Sequence, residues 1–156
     1  MPRKPYVSTY FSPRQGAAAQ VVGFIDHCEK TLDIAVYSFT HNGIAEAVAR
    51  AHERGVKVRV LMDAVQASGR WADDEKLQAR GVAVRLIQGS GGGSFHHKFC
   101  VGDGDAIITG SFNWSKSADQ RNAENFVIIR LKYAVEAFQR EFNSYWGEGR
   151  EPTSSP

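Results

Sequence analysis

The stretch FHHKFCVGDGDAIITGSFNWSKSADQRNAENFVII, Phe95 to Ile129, decides how this chain is read. Phe99 to Val101 and Ala106 to Thr109 are short apolar runs separated by a turn through Gly102, Asp103 and Gly104, and they predict a hairpin. Side chains two residues apart share one face of a strand, so His96 and Lys98 project to one side and His97 to the other. Ser111 and Asn113 repeat that spacing just past the second strand. The hairpin therefore gathers an imidazole, an ammonium, a hydroxyl and a carboxamide. A phosphate suits that set, which offers a nucleophile or proton carrier, one fixed positive charge and two neutral donors.

Outward from the hairpin, apolar periodicity predicts alternating strands and helices. Val7 to Phe11 reads as an edge strand ended by Ser12-Pro13. Ala17 to Lys30 carries the helical stripe Val21, Val22, Phe24, Ile25 and Cys28. Leu32 to Phe39 is a nearly continuous apolar run, which predicts a strand buried on both faces. Thr40 or Asn42 is placed to cap the next helix, whose inner face is Ile44, Ala45, Val48 and Ala51 and which stops at Gly55. Val56 to Met62 alternates as a strand ending at Asp63; Trp71 to Arg80 reads as a short helix and Val82 to Ile87 as a strand. Phe126 to Leu131 is a last strand and Ala134 to Trp146 a last amphipathic helix. This rhythm predicts an α/β fold: a central mixed, largely parallel sheet with helices on both faces and right-handed crossovers.

A length of 156 residues predicts one domain, 1–156, with the last few residues disordered. Hydrophobic content of 42% and charged content of 23% are globular values, and a net charge of +2 excludes a polybasic molecule, so any attraction to an anion comes from a local patch. Cys28 and Cys100 form no metal pattern and are expected in the core. There is no run of 18 apolar residues and no apolar leader segment at the start. A chain whose leader has been removed reads the same way, which leaves periplasmic, secreted and cytoplasmic locations open. Gly89 to Ser94, Gly-Ser-Gly-Gly-Gly-Ser, reads as a mobile loop beside His96, either a loose hairpin tip or a substrate gate.

The spacing H-x-K-x(4)-D-x(6)-G-S at His96, Lys98, Asp103, Gly110 and Ser111, followed by Asn113 and by Asn122-Ala123-Glu124-Asn125, resembles the signature of the phospholipase D superfamily. Its small bacterial endonucleases and mitochondrial cardiolipin hydrolase/endonucleases are the most similar branches. Tyr37-Ser38-Phe39-Thr40, the strand ending at Asp63 and the tail Phe142 to Gly149 extend the likeness over nearly the whole chain. The resemblance implies an α/β/α sandwich and a phosphodiesterase in which His96 attacks phosphorus to form a phosphohistidine. It also implies that Lys98 and Asn113 hold the phosphoryl oxygens and that Ser111 assists. By the same resemblance Glu124 accepts a bond from the second imidazole nitrogen and fixes the tautomer, as in catalytic triads; the plain alternative is a surface pair with Arg121. Gly110 and Asp103 are motif positions, and the Gly-Asp-Gly-Asp setting of Asp103 favours a turn role over chemistry. His97 is expected to be structural. His41 either lines the cleft or neighbours a helix cap.

No carboxylates are spaced to hold Mg²⁺, and His96 and His97 on opposite faces do not share an ion, so no metal or other cofactor is expected. Arg70 and Trp71 stand beyond a strand's carboxyl end, the usual mouth of such a sheet. Arg70 is suited to a phosphate and Trp71 either stacks on a base or packs into the core. Lys116 and Arg121 flank the motif and extend the track. The expected substrate is nucleic acid, DNA or RNA, with little sequence preference and no stable membrane association. A phospholipid of the cardiolipin type is the alternative, and a non-catalytic nucleic-acid-binding module the remote one. A phosphohistidine mechanism uses a second imidazole as acid and base. The chain has one H-x-K motif and no internal repeat, so a homodimer sharing one site is expected.

Overall fold

The apolar alternation along the strands sorts into two cores. Leu32, Ile34 and Val36 face one way with Val58, Val60, Met62, Cys100 and Ile108, while Ala35, Leu61, Phe99, Val101 and Ile107 face the other. A sheet with both faces apolar must be covered on both. The structure is a computed structural model and describes residues 2–152; the expected disorder at the extreme carboxyl end concerns 153–156, outside those residues.

In chain order the elements are β1 (Val7–Ser12), α1 (Ala17–Asp26), β2 (Thr31–Val36), α2 (Asn42–Glu53), β3 (Lys57–Asp63), α3 (Ala64–Ala67), α4 (Asp74–Ala79), β4 (Ala83–Ile87), β5 (Lys98–Gly102), β6 (Ala106–Gly110), α5 (Lys116–Gln120), β7 (Glu124–Ile129) and α6 (Lys132–Glu148). The seven strands form one sheet in the order β1-β7-β6-β5-β2-β3-β4. Helices α1, α2, α4 and α5 cover one face through Val21, Ile25, Ile44, Val48, Leu77 and Ala118. Helix α6 covers the other through Val135 and Phe142, joined by the half-buried Phe138, Tyr145 and Trp146.

The mixed α/β sandwich is as expected; the proportion of parallel pairs is not. Among the strand pairings of the described residues, only β2 with β3 and β3 with β4 run parallel. The other four pairings, β1·β7, β7·β6, β6·β5 and β5·β2, are antiparallel, so the sheet is mostly antiparallel. The β5–β6 hairpin enters beside β2 rather than continuing beyond β4, and Ile34 of β2 lies opposite Cys100 of β5. That insertion makes β2 the junction between a parallel half and an antiparallel half.

Local boundaries differ where tertiary partners intervene. Helix α2 is capped by His41, whose Nδ1 accepts the Ile44 amide at 3.2 Å, rather than by Thr40 or Asn42. The other nitrogen of His41, Nε2, lies 3.3 Å from Asp119 Oδ2, and Asp119 Oδ1 accepts the Ala18 amide at 3.1 Å. His41 therefore ties α1, α2 and α5 together. Trp71 precedes α4 instead of starting it, and stands 70% exposed. The Gly89–Ser94 segment contains a single 3-10 turn at Ser90–Gly92. Beneath α6, Asp33 is buried and takes a two-pronged bond from Arg59 at 2.7 and 2.8 Å. The Arg59 guanidinium stacks on Phe142 and Trp146, which fixes α6 against the sheet. Among the described residues no helix is long and apolar enough to cross a membrane.

Candidate active site

Two pairings bring the motif together. In the first, β2 runs antiparallel to β5 with Val36 opposite Lys98, and the Tyr37 amide donates to the His97 carbonyl at 2.8 Å. The carboxyl end of β2 thus meets the amino end of β5. In the second, β6 pairs with β7 so that Gly110 lies opposite Phe126, and the Ser111 amide donates to the Asn125 carbonyl at 2.9 Å. Gly110 is required there: a Cβ on it would overlap the Asn125 carbonyl and sit 2.6 Å from the Phe126 Cα.

His96 is exposed at this end of the sheet and Lys98 is half-buried beside it. Lys98 Nζ lies 2.8 Å from His96 Nδ1 and donates to the His96 carbonyl at 2.8 Å. Burial pulls the Lys98 ammonium below the ordinary lysine range, and the Glu124 carboxylate opposes that change. The Tyr37 ring lies against His96, with centroids 4.5 Å apart, and Lys98 Nζ is 5.4 Å from the same ring centroid. Tyr37 is a site residue that the hairpin alone does not announce; its signal is its place at a strand's carboxyl end. The loop that carries Asn113 is tied to the segment after Tyr37, since the Thr40 and His41 amides both donate to the Trp114 carbonyl, at 2.8 and 3.0 Å. Asn113 Oδ1 is buried without a hydrogen-bond partner among the described residues.

Glu124 does not bond His96 here. It accepts from Ser111 Oγ at 3.2 Å, and the same Oγ accepts the Asn125 amide at 3.1 Å. The start of β7 and the end of β6 are thereby clasped together, and Glu124 reaches Lys98 by charge alone. No Glu124–Arg121 ion pair forms either among the described residues.

His97 lies on the other face, as the alternation requires. Its ring packs edge-on against Phe95, Phe99 and Tyr145, and its Nε2 is 3.3 Å from Glu141 Oε1. Asp103 sits at the opposite end of β5, with φ 53°, and its carboxylate accepts the amides of Glu29, Lys30 and Thr31 at 2.7–3.1 Å. Burial alone would raise its carboxyl, but those amides outweigh burial and hold it below the ordinary range. Its role is to fasten the α1–β2 loop to the hairpin. A cavity of about 480 Å³ opens at this far end between α1 and β7, lined by Phe24, His27 and Arg130 among others, away from the motif. Cys28 and Cys100 are buried as expected, and burial pushes the Cys28 thiol up to about 12.

Arg70 and Trp71 stand exposed between α3 and α4, with the guanidinium 5.0 Å over the indole. Lys116 and Arg121 are exposed at the two ends of α5, the helix that joins Asn113 to Glu124. Among the described residues no three His, Cys, Asp or Glu side chains converge as a metal site.

With this geometry in place, residues 21–146 match the family described as "Cardiolipin synthase, PLD-like domain". The chain belongs to that phospholipase D-like family. It is 40% identical over 120 residues to a mitochondrial cardiolipin hydrolase of Xenopus tropicalis, covering 77% of this chain and 56% of the relative. It is 33% identical over 132 residues to a phospholipase D of Rickettsia felis, covering 85% and 65%. The chain thus spans somewhat over half the length of these relatives. Among solved structures, Nuc from Salmonella typhimurium, a phospholipase D family member, superposes with a TM-score of 0.89 at 29% identity, covering 97% of this chain and 100% of that one. NucT from Helicobacter pylori shares the fold, with a TM-score of 0.88 at 23% identity over 94% and 98%.

Proposed function

We propose that this protein is a metal-independent phosphodiesterase that cleaves nucleic acid with little sequence preference through a phosphohistidine. The observation that carries the reading is the half-buried Lys98 ammonium 2.8 Å from His96 Nδ1, on the strand next to the one whose following segment, Ser38 to His41, is bonded to the Asn113 loop through Trp114. In the proposed first step a His96 nitrogen attacks phosphorus, the bond to the leaving oxygen breaks, and that oxygen takes a proton from a second imidazole. In the second step that imidazole takes a proton from water, the water oxygen attacks phosphorus, and the phosphorus–nitrogen bond breaks. Lys98 moves from the ring to the phosphoryl oxygens as substrate binds, and with Asn113 meets the charge that grows in the transition state. His96 then attacks through Nε2 as the tautomer protonated at Nδ1, and Glu124 turns from Ser111 to accept the hydrogen bond of that N–H.

The second imidazole is the partner subunit's His96, in a homodimer with one shared site. His97 faces the wrong way and His41 is committed to a cap and to Asp119. The exposed position of His96 at the open end of the sheet suits an isologous interface.

Nucleic acid is favoured by the exposed Arg70–Trp71 pair and by Lys116 and Arg121, a basic and aromatic set suited to phosphates and bases. The lipid reading has its own support in the cardiolipin hydrolases, and in Val65 and Trp71, both exposed on the segment after β3. Plasmid DNA, single-stranded DNA, RNA and cardiolipin vesicles, each incubated in excess EDTA, separate the two. Nucleic acid should be cut and vesicles left intact. Vesicle hydrolysis alone would establish the lipid reading, and activity that chelation abolishes and Mg²⁺ restores would overturn metal independence.

A further inference from the structure

His96 lies outside β5, on a segment with no strand partner of its own, yet a nucleophile must be aimed. Its two neighbours are each anchored. The Phe95 amide donates to Asp63 Oδ2 at 2.9 Å, and the His97 carbonyl accepts from the Tyr37 amide at 2.8 Å. Asp63 ends β3 and is 2% exposed. Its other oxygen, Oδ1, accepts the amides of Val65 and Gln66, both at 3.0 Å, and so starts α3. From that turn Gln66 Nε2 donates to the Tyr37 hydroxyl at 3.0 Å. The Tyr37 ring in turn lies against His96, with planes 43° apart, and offers its face to Lys98. One buried carboxylate thus fixes both the backbone before His96 and the side chain that holds the surface on which its ring rests.

We infer that Tyr37, held by Gln66 from the Asp63-capped turn, is a positioning residue that sets the orientation of the His96 ring for attack on phosphorus. The ring supplies the flat support; the hydroxyl bond to Gln66 keeps that support from rotating. The face toward Lys98 also gives the ammonium a cation–π contact in the position from which it moves to the substrate. The role inferred for these three residues requires no contact with the phosphate. Misplacement of a reacting atom by about 1 Å can cost on the order of 10²-fold in rate, so an effect without direct contact is expected to be large.

The inference rests on His96 as the nucleophile, and the experiment keeps the two apart. Turnover, KM and the rate of phosphoenzyme formation are measured for wild type, His96→Ala, Tyr37→Leu, Tyr37→Phe, Gln66→Leu and the Tyr37→Phe/Gln66→Leu double variant, with melting temperatures recorded for each. Tyr37→Leu should lower kcat and phosphoenzyme formation by roughly 10- to 100-fold with KM changed by no more than about threefold. Tyr37→Phe keeps the ring and should recover most of that loss. Gln66→Leu should match Tyr37→Phe, and the double variant should be no slower than either single one, because both remove the same bond. Gln66 is half-buried, so its variant reports even where Tyr37→Leu fails to fold. If His96→Ala turns over like wild type, the nucleophile assignment fails and the positioning role falls with it. If His96→Ala is inactive while folded Tyr37 and Gln66 variants keep wild-type kcat, or if their two losses simply multiply, the positioning role is overturned and the nucleophile stands.

Discussion

Ser111 Oγ donates to Glu124 Oε1 at 3.2 Å, across the β6–β7 pairing. The bond holds the one carboxylate that acts on Lys98 and leaves His96 Nδ1 to the ammonium. In the proposed cycle Glu124 must leave Ser111 for the imidazole. Ser111→Ala is therefore expected to cost less than Glu124→Gln: a few-fold in kcat against roughly 10²- to 10⁴-fold, the usual worth of a group that governs proton transfer. Steady-state kinetics of the two variants check this. Equal losses would mean that Glu124 works only through Ser111.

Lys98 should set an alkaline limit on activity. Its ammonium is pulled down from the ordinary lysine value of 10.5 by burial. The charge needed at the phosphoryl oxygens is present below the lowered pKa and lost as pH rises through it. The alkaline limb of the kcat/KM profile should then lie below the ordinary lysine range. Glu124→Gln removes the opposing negative charge and should move that limb lower still. Lys98→Arg should abolish the limb, since a guanidinium stays charged throughout. A limb at the ordinary lysine value in wild type would count against Lys98.

A shared site makes activity depend on the square of active chains. Co-expression of wild-type and His96→Ala chains in varied ratio should give turnover that falls roughly as the square of the wild-type fraction, because a mixed dimer lacks one imidazole and loses about 10²- to 10⁴-fold. A linear fall, or full activity from a monomer at assay concentration, would remove the homodimer from the mechanism.

Arg70 and Trp71 are exposed and remote from His96 in sequence, so their contribution should be to binding. Arg70→Ala and Trp71→Ala are expected to raise KM for nucleic acid several-fold with little change in kcat, since contacts made equally in ground and transition states do not alter the chemical step. Arg70→Ala should also reduce the salt slope of binding by about 1, as loss of one phosphate contact does. Unchanged KM on DNA and RNA together with impaired vesicle hydrolysis would favour the lipid substrate.

Asp73 gives a stability prediction independent of function. Its Oδ2 is buried without a partner among the described residues, and its Oδ1 is 3.2 Å from the exposed Lys76 ammonium. Burial raises its carboxyl above the ordinary value of 3.8. The folded state therefore holds the proton more tightly than the unfolded one, and the stability this contributes is present below 3.8 and lost as pH rises through the folded value. Asp73→Asn should raise the melting temperature at neutral pH and leave it nearly unchanged near about pH 3, where both side chains are neutral; each 1 kcal/mol gained reads as about 2–4 °C in a chain of this size. Thermal unfolding at the two pH values decides it.

The sequence by itself determined what depends on local period and spacing. His96 and Lys98 share a side and His97 takes the other because strand geometry alternates every residue, whatever the neighbouring strand. The two-faced sheet followed from apolar runs such as Leu32 to Val36, and Asp103 as a turn residue followed from its glycine neighbours. Tertiary structure decided what depends on which strand lies beside which. No local pattern says that β5 enters beside β2 or that β7 returns between β6 and β1, and those placements make the sheet mostly antiparallel rather than largely parallel. The insertion of β5 beside β2 also sets Tyr37 against His96, 59 positions further along the chain. His41 capping α2, Trp71 standing free and Glu124 bonded to Ser111 are likewise outcomes of contact between distant segments. Each is a choice among partners that a short window of sequence leaves equally available, and only packing the whole chain makes one of them the lowest in free energy.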